Sequence, residues 1–222
     1  MSSEISLNDI RLQHPFTCVI SGPTGSGKTV LLRGILQNWR ETFSNLDDRD
    51  AIKVLWCYGE FQAMYNSQIG PNVKVSYIEG LPTEDELRKG SHDVVVVDDL
   101  MYETGDDKRL ANMFTKGSHH MGYSLFYIVQ NFFHRSKQMR TITLNAHYVI
   151  LMKNRRDLNQ IVHFGRQIFP NKPNFFLDVY NDATHLPFGY LLVDLRPETS
   201  EELRLRSNIS HPYEGIVIYQ FR

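Results

Sequence analysis

Gly22, Gly27, Lys28 and Thr29 stand in the spacing G-x-x-x-x-G-K-[ST] inside "SGPTGSGKT". Glycines at these places let successive backbone N–H groups turn toward one anion, and the N-terminus of a following helix adds the positive end of its dipole. The stretch Gly22, Pro23, Thr24, Gly25, Ser26, Gly27, Lys28, Thr29 is therefore a candidate phosphate cradle. Lys28 would reach the β and γ phosphates, and the Thr29 hydroxyl would hold magnesium. Two carboxylates, Asp98 and Asp99, follow the valine run of "HDVVVVDDL". Asp98 is the candidate second ligand of the magnesium. Asp99 is the candidate base, or water-orienting carboxylate, for attack on the γ phosphate.

Such a pattern does chemistry only where the right elements flank it. An apolar strand, Phe16–Ile20, precedes the glycines, and an amphipathic helix over residues 28–39 follows them. "AIKVLWCY" (residues 51–58) and "HDVVVVDDL" (92–100) read as further strands, the second so continuously apolar that both its faces must be covered, as in a parallel sheet. Its two aspartates then fall at the strand end, where α/β sheets carry ligands. "SLFYIVQ" (124–130) and "AHYVILMK" (146–153) supply two more strands. Thr83 and Glu86 have the spacing of a capping box and open a short helix, and Asp157 caps another over residues 157–169. "DDKRLANMFTKGS" and "PNFFLDVYNDA" read as helices, while "GYLLVDL" and "GIVIYQF" suggest an antiparallel edge. The expected fold class is α/β, a five-stranded parallel core sheet with helices on both faces and antiparallel C-terminal edge strands. Residues 1–14 are expected to form an arm and 15–222 a single domain.

Composition sets the bounds. With 222 residues, 41% of them hydrophobic, the chain can bury a substantial core. A formal net charge of −1 carries no general attraction for nucleic acid, so any such contact needs a local patch. No apolar run is long enough to span a bilayer, which predicts no membrane partner. Cys18 and Cys57 both fall inside expected buried strands, so they read as buried thiols of an intracellular protein. "KGSHHMGY" reads as a loop, and its His119 and His120 lack partners at metal-site spacing. "NKPN" (171–174) lacks the final aspartate of a guanine-selecting motif, so ATP is the expected nucleotide.

A whole strand between the cradle strand and the aspartate strand, and a second acid beside Asp98, resemble the ASCE division of P-loop ATPases. In that division a further strand inserts between those two, and here it would be "SLFYIVQ", bringing Gln130 beside the γ phosphate as a sensor. Taken in order, "SGPTGSGKT", "VVVVDDL", the Gln130 strand end and "MRTITLNAHYVILMKN" resemble the FtsK/HerA superfamily. The likeness is to its viral genome-packaging ATPases of the poxvirus and adintovirus (Maverick/Polinton) type, and "PFGYLLVDLRPETSEELRLRSNI" is similar to their tail. The resemblance covers residues 15–209.

It implies a RecA/FtsK-like fold and a homomeric ring, hexamer or pentamer, that pumps double-stranded DNA into a capsid. ATP would be hydrolysed between subunits. A capsid portal or vertex protein would be a partner, and the place of action the host nucleus, a virus factory or the virion. It also implies an arginine offered to each site by the neighbouring subunit: Arg140, which precedes Asn145, is the first choice, with Arg155 and Arg156 in reserve. Phe132, Phe133, His134, Arg135 and Lys137, in the loop after Gln130, would then touch DNA without reading sequence. Two other readings stay open, a RecA-like or AAA+ helicase or remodelling ATPase, and a nucleotide-gated assembly protein. The latter has no use for a second acid or a sensor. A small-molecule kinase would want an acceptor pocket and lid arginines that the sequence does not display.

Overall fold

The computed structural model describes residues 10–100, 108–132 and 137–221. Strands form at Leu12–Gln13 (β1), Thr17–Ser21 (β2), Phe43–Ser44 (β3), Ile52–Tyr58 (β4), Val73–Glu79 (β5), Val94–Asp98 (β6) and Ser124–Val129 (β7). Tyr148–Met152 (β8), Tyr190–Asp194 (β9), Leu205–Ser207 (β10) and Val217–Ile218 (β11) complete them. β1 and β3 make a small parallel pair, and the rest form one sheet in the order β11-β10-β9-β8-β2-β7-β6-β4-β5. All pairings from β8 across to β5 are parallel, and β9, β10 and β11 add on antiparallel at the flank. β7 lies between β2 and β6, the insertion expected of "SLFYIVQ".

The parallel block holds six strands rather than the five expected. The sixth, β5, reads "VKVSYIE" and has an alternating burial pattern, because it sits at the sheet edge with one face wetter than the other. Its signal is a period of two, not the continuous apolar run that marks β6.

Successive side chains of each strand point to opposite faces, so the sheet divides the core in two. On one face Cys18, Ile20, Trp56, Val94, Val96, Phe126 and Ile150 meet Leu32, Ile35 and Leu36 of the helix Lys28–Gln37 (α1). On the other, Val19, Cys57, Val95, Val97, Leu125, Tyr127 and Val149 meet a second group of helices. These are Glu84–Gly90 (α2), Lys108–Asn112 (α3), Lys137–Leu144 (α4), Leu158–Ile168 (α5) and Pro173–Ala183 (α6). The capping box of α2 forms, with Glu86 Oε2 accepting from Thr83 N–H at 2.7 Å, and Asp157 caps α5 by accepting from Gln160 N–H.

Two further expectations change. α3 continues through a wider turn at Met113–Gly117 and a helical turn at Ser118–Met121, so the histidine pair belongs to helix rather than loop. Met113, Phe114, Gly117 and Ser118 are buried, and this apolar face extends the helix until Gly122 turns left-handed. Likewise Lys137, expected in a loop, stands with Arg140 on α4; Met139 and Ile142, three apart, are buried and pin the helix to the core.

Residues 11–14, read as the end of an arm, pack here. Leu12 is buried opposite Phe43, and Arg11 donates to Arg40 O and Phe43 O at 3.1 Å and to Asp47 Oδ1 at 2.7 Å. At the antiparallel flank, fully buried Asp194 accepts from Arg206 Nη2 at 2.9 Å and from Arg196 Nη2 at 3.1 Å, tying β9 to β10. Among the described residues no helix is long and apolar enough to cross a membrane.

Candidate functional site

Parallel pairing aligns the C-terminal ends of β2, β7, β6 and β4. Ser21 lies opposite Val129, Asp98 opposite Ile128, and Tyr58 opposite Asp98. Segments far apart in sequence therefore deliver Gly22, Gln130 and Asp98 to one edge.

The turn from β2 into α1 is tight for definite reasons. Gly25 and Gly27 have φ of 77° and 91°, left-handed values that side chains resist. A Cβ on Gly22 would lie 2.5 Å from Met152 Cβ, so only glycine lets the loop press on β8. Gly22 N–H donates to Val129 O at 3.2 Å and Ser26 N–H to Pro23 O at 3.1 Å, fixing the loop's shape. Ser26 Oγ is buried without a hydrogen-bond partner, an unusual cost that an anion in the cradle would relieve.

Lys28 curls over this loop, donating from Nζ to Gly22 O at 2.7 Å and to Pro23 O at 3.1 Å. Burial lowers its pKa from the ordinary lysine value, against the opposing pull of Asp99 and Asp98. Thr29 Oγ1 donates to Asp98 Oδ2 at 3.3 Å, and the Tyr65 hydroxyl donates to the same oxygen at 3.0 Å. Asp98 is only 2% exposed; burial raises its pKa, the two hydroxyls pull it down, and Asp99 pushes it up again. Among the described residues no salt bridge reaches this carboxylate. A buried anion met by hydroxyls, with a threonine oxygen beside it, is a hard-oxygen donor set that fits magnesium.

Asp99 differs from its neighbour in every respect. It is exposed, its φ is 53°, and both its carboxylate oxygens accept from Gln130 Nε2, at 3.1 and 3.3 Å. The residue read as base and the residue read as sensor are thus joined directly. A non-glycine residue held left-handed at a strand end is a strain that the surroundings must support.

Tyr65 was not expected from the sequence. It sits on a short helical turn between β4 and β5, stacked on Tyr77 with ring centroids 5.2 Å apart and packed on Trp56 and Tyr58. The density of aromatics in "WCYGEFQAMY" was the one available signal, and it points to packing rather than to Asp98.

The outlying candidates fall elsewhere. Arg140 is exposed on α4, and Arg155 and Arg156 are exposed beyond the end of β8. Among the described residues none of the three makes a hydrogen bond or ion pair to Lys28, Asp98, Asp99 or Gln130. Asn145 closes α4, donating from its side chain to Thr141 O at 2.8 Å. Phe133, His134 and Arg135 lie outside the described residues. Phe132 is buried against Phe164, ring centroids 5.2 Å apart, which removes it from any nucleic-acid surface. Lys137 is exposed at the start of α4.

No protein-family model and no curated protein sequence matches the chain. Solved structures do match. The genome packaging NTPase B204 from Sulfolobus turreted icosahedral virus 2, in complex with sulfate, superposes with a TM-score of 0.56 at 12% identity, over 93% of this chain and 96% of that one. The same protein in complex with ATP-gammaS gives 0.51 at 13% identity, over 93% and 97%. The cytoplasmic domain of the Type VII secretion ATPase EccC from Thermomonospora curvata gives 0.50 at 16% identity, over 81% of this chain but 24% of that one. The chain therefore shares the mixed α/β fold of these NTPase and ATPase structures.

Proposed function

We propose that the chain is a magnesium-dependent ATPase that drives double-stranded DNA into a viral capsid as part of a homomeric ring. The observation that carries this reading is the convergence of Lys28, Thr29, Asp98, Asp99 and Gln130 on one sheet edge. It is supported by a fold shared, over nearly the full length of both chains, with an NTPase described as genome-packaging.

Each residue then has a task. The backbone N–H groups of residues 22–29 and the Lys28 ammonium receive the phosphates. Thr29 and Asp98 hold magnesium, which when bound neutralises charge on the phosphate oxygens. Asp99 accepts a proton from the attacking water as the water's oxygen bonds to the γ phosphorus and the bond to the β–γ bridging oxygen breaks, releasing ADP and phosphate. Gln130, already hydrogen-bonded to Asp99, fixes that water's position. An arginine from the next subunit, Arg140 first and Arg155 or Arg156 otherwise, meets the charge developing on the γ phosphate. A base without such a partner is poorly equipped to turn over, so hydrolysis belongs to the assembled hexamer or pentamer. Lys137, with His134 and Arg135 near it in sequence, would contact DNA phosphates. A capsid vertex or portal protein would hold the ring in place.

The test is ATP hydrolysis with and without long duplex DNA, with Lys28→Ala as the blank. Strong stimulation by duplex that vanishes in the blank is expected. Hydrolysis indifferent to DNA, at every protein concentration that supports a ring, would sink the packaging reading and leave the ATPase.

A further inference from the structure

Phosphates are one end of a nucleotide, and the base at the other end needs a surface of its own. Beside the cradle a cleft of about 640 Å³ runs from Gly27 and Val30 to Phe188 and on toward Asn208 and Tyr219. Its rim carries four large apolar side chains open to water: Val30, 63% exposed, Leu186, 60%, Phe188, 66%, and Val217, 44%. A contiguous apolar patch of this kind marks a ligand or partner site rather than ordinary surface.

Phe188 is held there against its own preference. Its φ is 62°, a left-handed conformation that a phenylalanine backbone seldom adopts. The turn presenting it is closed by Gly189 N–H donating to Leu186 O at 3.2 Å. Gly189 has no room for a side chain, since a Cβ there would come within 2.7 Å of Ala183 O. Lys153, at the end of β8, then ties the turn down twice, through its N–H to Gly189 O at 3.1 Å and its Nζ to His185 O at 2.5 Å. The result sets the Phe188 ring against the cradle itself: a Cβ on Gly27 would lie 2.9 Å from Phe188 Cδ1.

Charge narrows the occupant. Among the described residues no lysine or arginine lines the cleft, whose ionisable groups are Asp182, Glu214, His185, His211 and the Tyr190 and Tyr219 hydroxyls. It therefore has nothing for a second phosphate or a nucleic-acid backbone. A flat, uncharged ring with polar edges suits an exposed aromatic face bordered by aliphatic side chains and a few acceptors.

We infer that this cleft takes the purine base of the nucleotide whose phosphates rest on residues 22–29, stacked on Phe188 and bordered by Val30 and Leu186. This rests on the nucleotide reading of the cradle and extends it by assigning the base to a separate segment, the turn between α6 and β9. The occupant is fixed by continuity: Gly27 belongs to both the cradle and the cleft wall.

Calorimetric titration with ATP and with inorganic tripolyphosphate, each against wild type, Phe188→Ala, Phe188→Tyr and Lys28→Ala, tests it. Phe188→Ala weakens ATP about 10-fold and leaves tripolyphosphate unchanged, while Phe188→Tyr, which keeps the ring, retains wild-type affinity for ATP. Equal loss of both ligands, or loss of neither, overturns the assignment. If Phe188→Ala leaves ATP binding intact but breaks up the assembly in sedimentation, the face belongs to a neighbouring copy and the assignment is wrong. If Lys28→Ala weakens neither ligand, the cradle reading has failed and takes this one with it, a result distinct from failure confined to Phe188. Unchanged thermal melting of the Phe188 variants, expected for a side chain two-thirds exposed, excludes misfolding as the cause.

Discussion

Two aspartates, each the last residue of a strand in the same sheet, are both almost wholly buried, and they are treated in opposite ways. Asp194 ends β9 and is met by two arginines, Arg206 and Arg196, so its charge is balanced within the chain. Asp98 ends β6 and is met by two hydroxyls, from Thr29 and Tyr65, so its charge is not. One arrangement is complete and locks the antiparallel flank together. The other is the one for which the proposed function supplies a cation. The lesson is that burial alone does not mark a functional carboxylate; the identity of its partners does.

Removing each group should therefore produce opposite signatures. Asp194→Ala removes the carboxylate that buried Arg206 and Arg196 share and should destabilise the fold by about 3–5 kcal/mol, read from urea unfolding. Asp98→Asn should cut ATP hydrolysis at least about 100-fold, an effect of roughly 3 kcal/mol on the barrier. In magnesium-free buffer the same Asp98→Asn change should leave stability unchanged or raise it by about 1 kcal/mol, because it removes an uncompensated buried charge. If Asp98→Asn instead unfolds the protein as Asp194→Ala does, the contrast fails.

Smaller changes refine it. Tyr65→Phe removes one of the two hydroxyls on Asp98 and should weaken magnesium binding several-fold, measured by titration of the metal against bound nucleotide, with little change in melting. The smallest effect belongs to an exposed aspartate. Asp47 accepts from Arg11, and that hydrogen bond lowers its pKa below the ordinary carboxylate value. Its folded pKa is depressed, so its contribution to stability is present above the unfolded value of 3.8 and is lost as pH falls through the folded one. Asp47→Asn should therefore differ slightly from wild type at pH 6, by a margin that shrinks as pH falls below 3.8, by urea unfolding.

The sequence displayed one part of this site openly and concealed the rest. Residues 22–29 are contiguous, and their spacing is itself the geometry, so the cradle could be read directly. Gln130 and Asp99 were placed by the expected strand order, and the fold does bring them within hydrogen-bonding distance. Tyr65 could not be placed in this way: it meets Asp98 across 33 positions, through a turn whose path no local pattern encodes. Strand β5 was missed because an edge strand alternates, and helix α4 because its apolar stripe is only Met139 and Ile142 within a polar run. Phe188 stood inside a quoted motif, yet nothing in "PFGY" announces a left-handed phenylalanine or its contact with Gly27.

The left-handed backbone at Asp99 also shapes how this gene can drift. Asparagine and glycine are the residues that tolerate such a φ best, and each is a single-nucleotide change from an aspartate codon. Glycine there would relieve strain, and asparagine would keep much of the local geometry, so neither change would be removed by loss of folding. Both would discard the carboxylate. On the role proposed for Asp99, an inactive but well-folded protein is thus one mutation away.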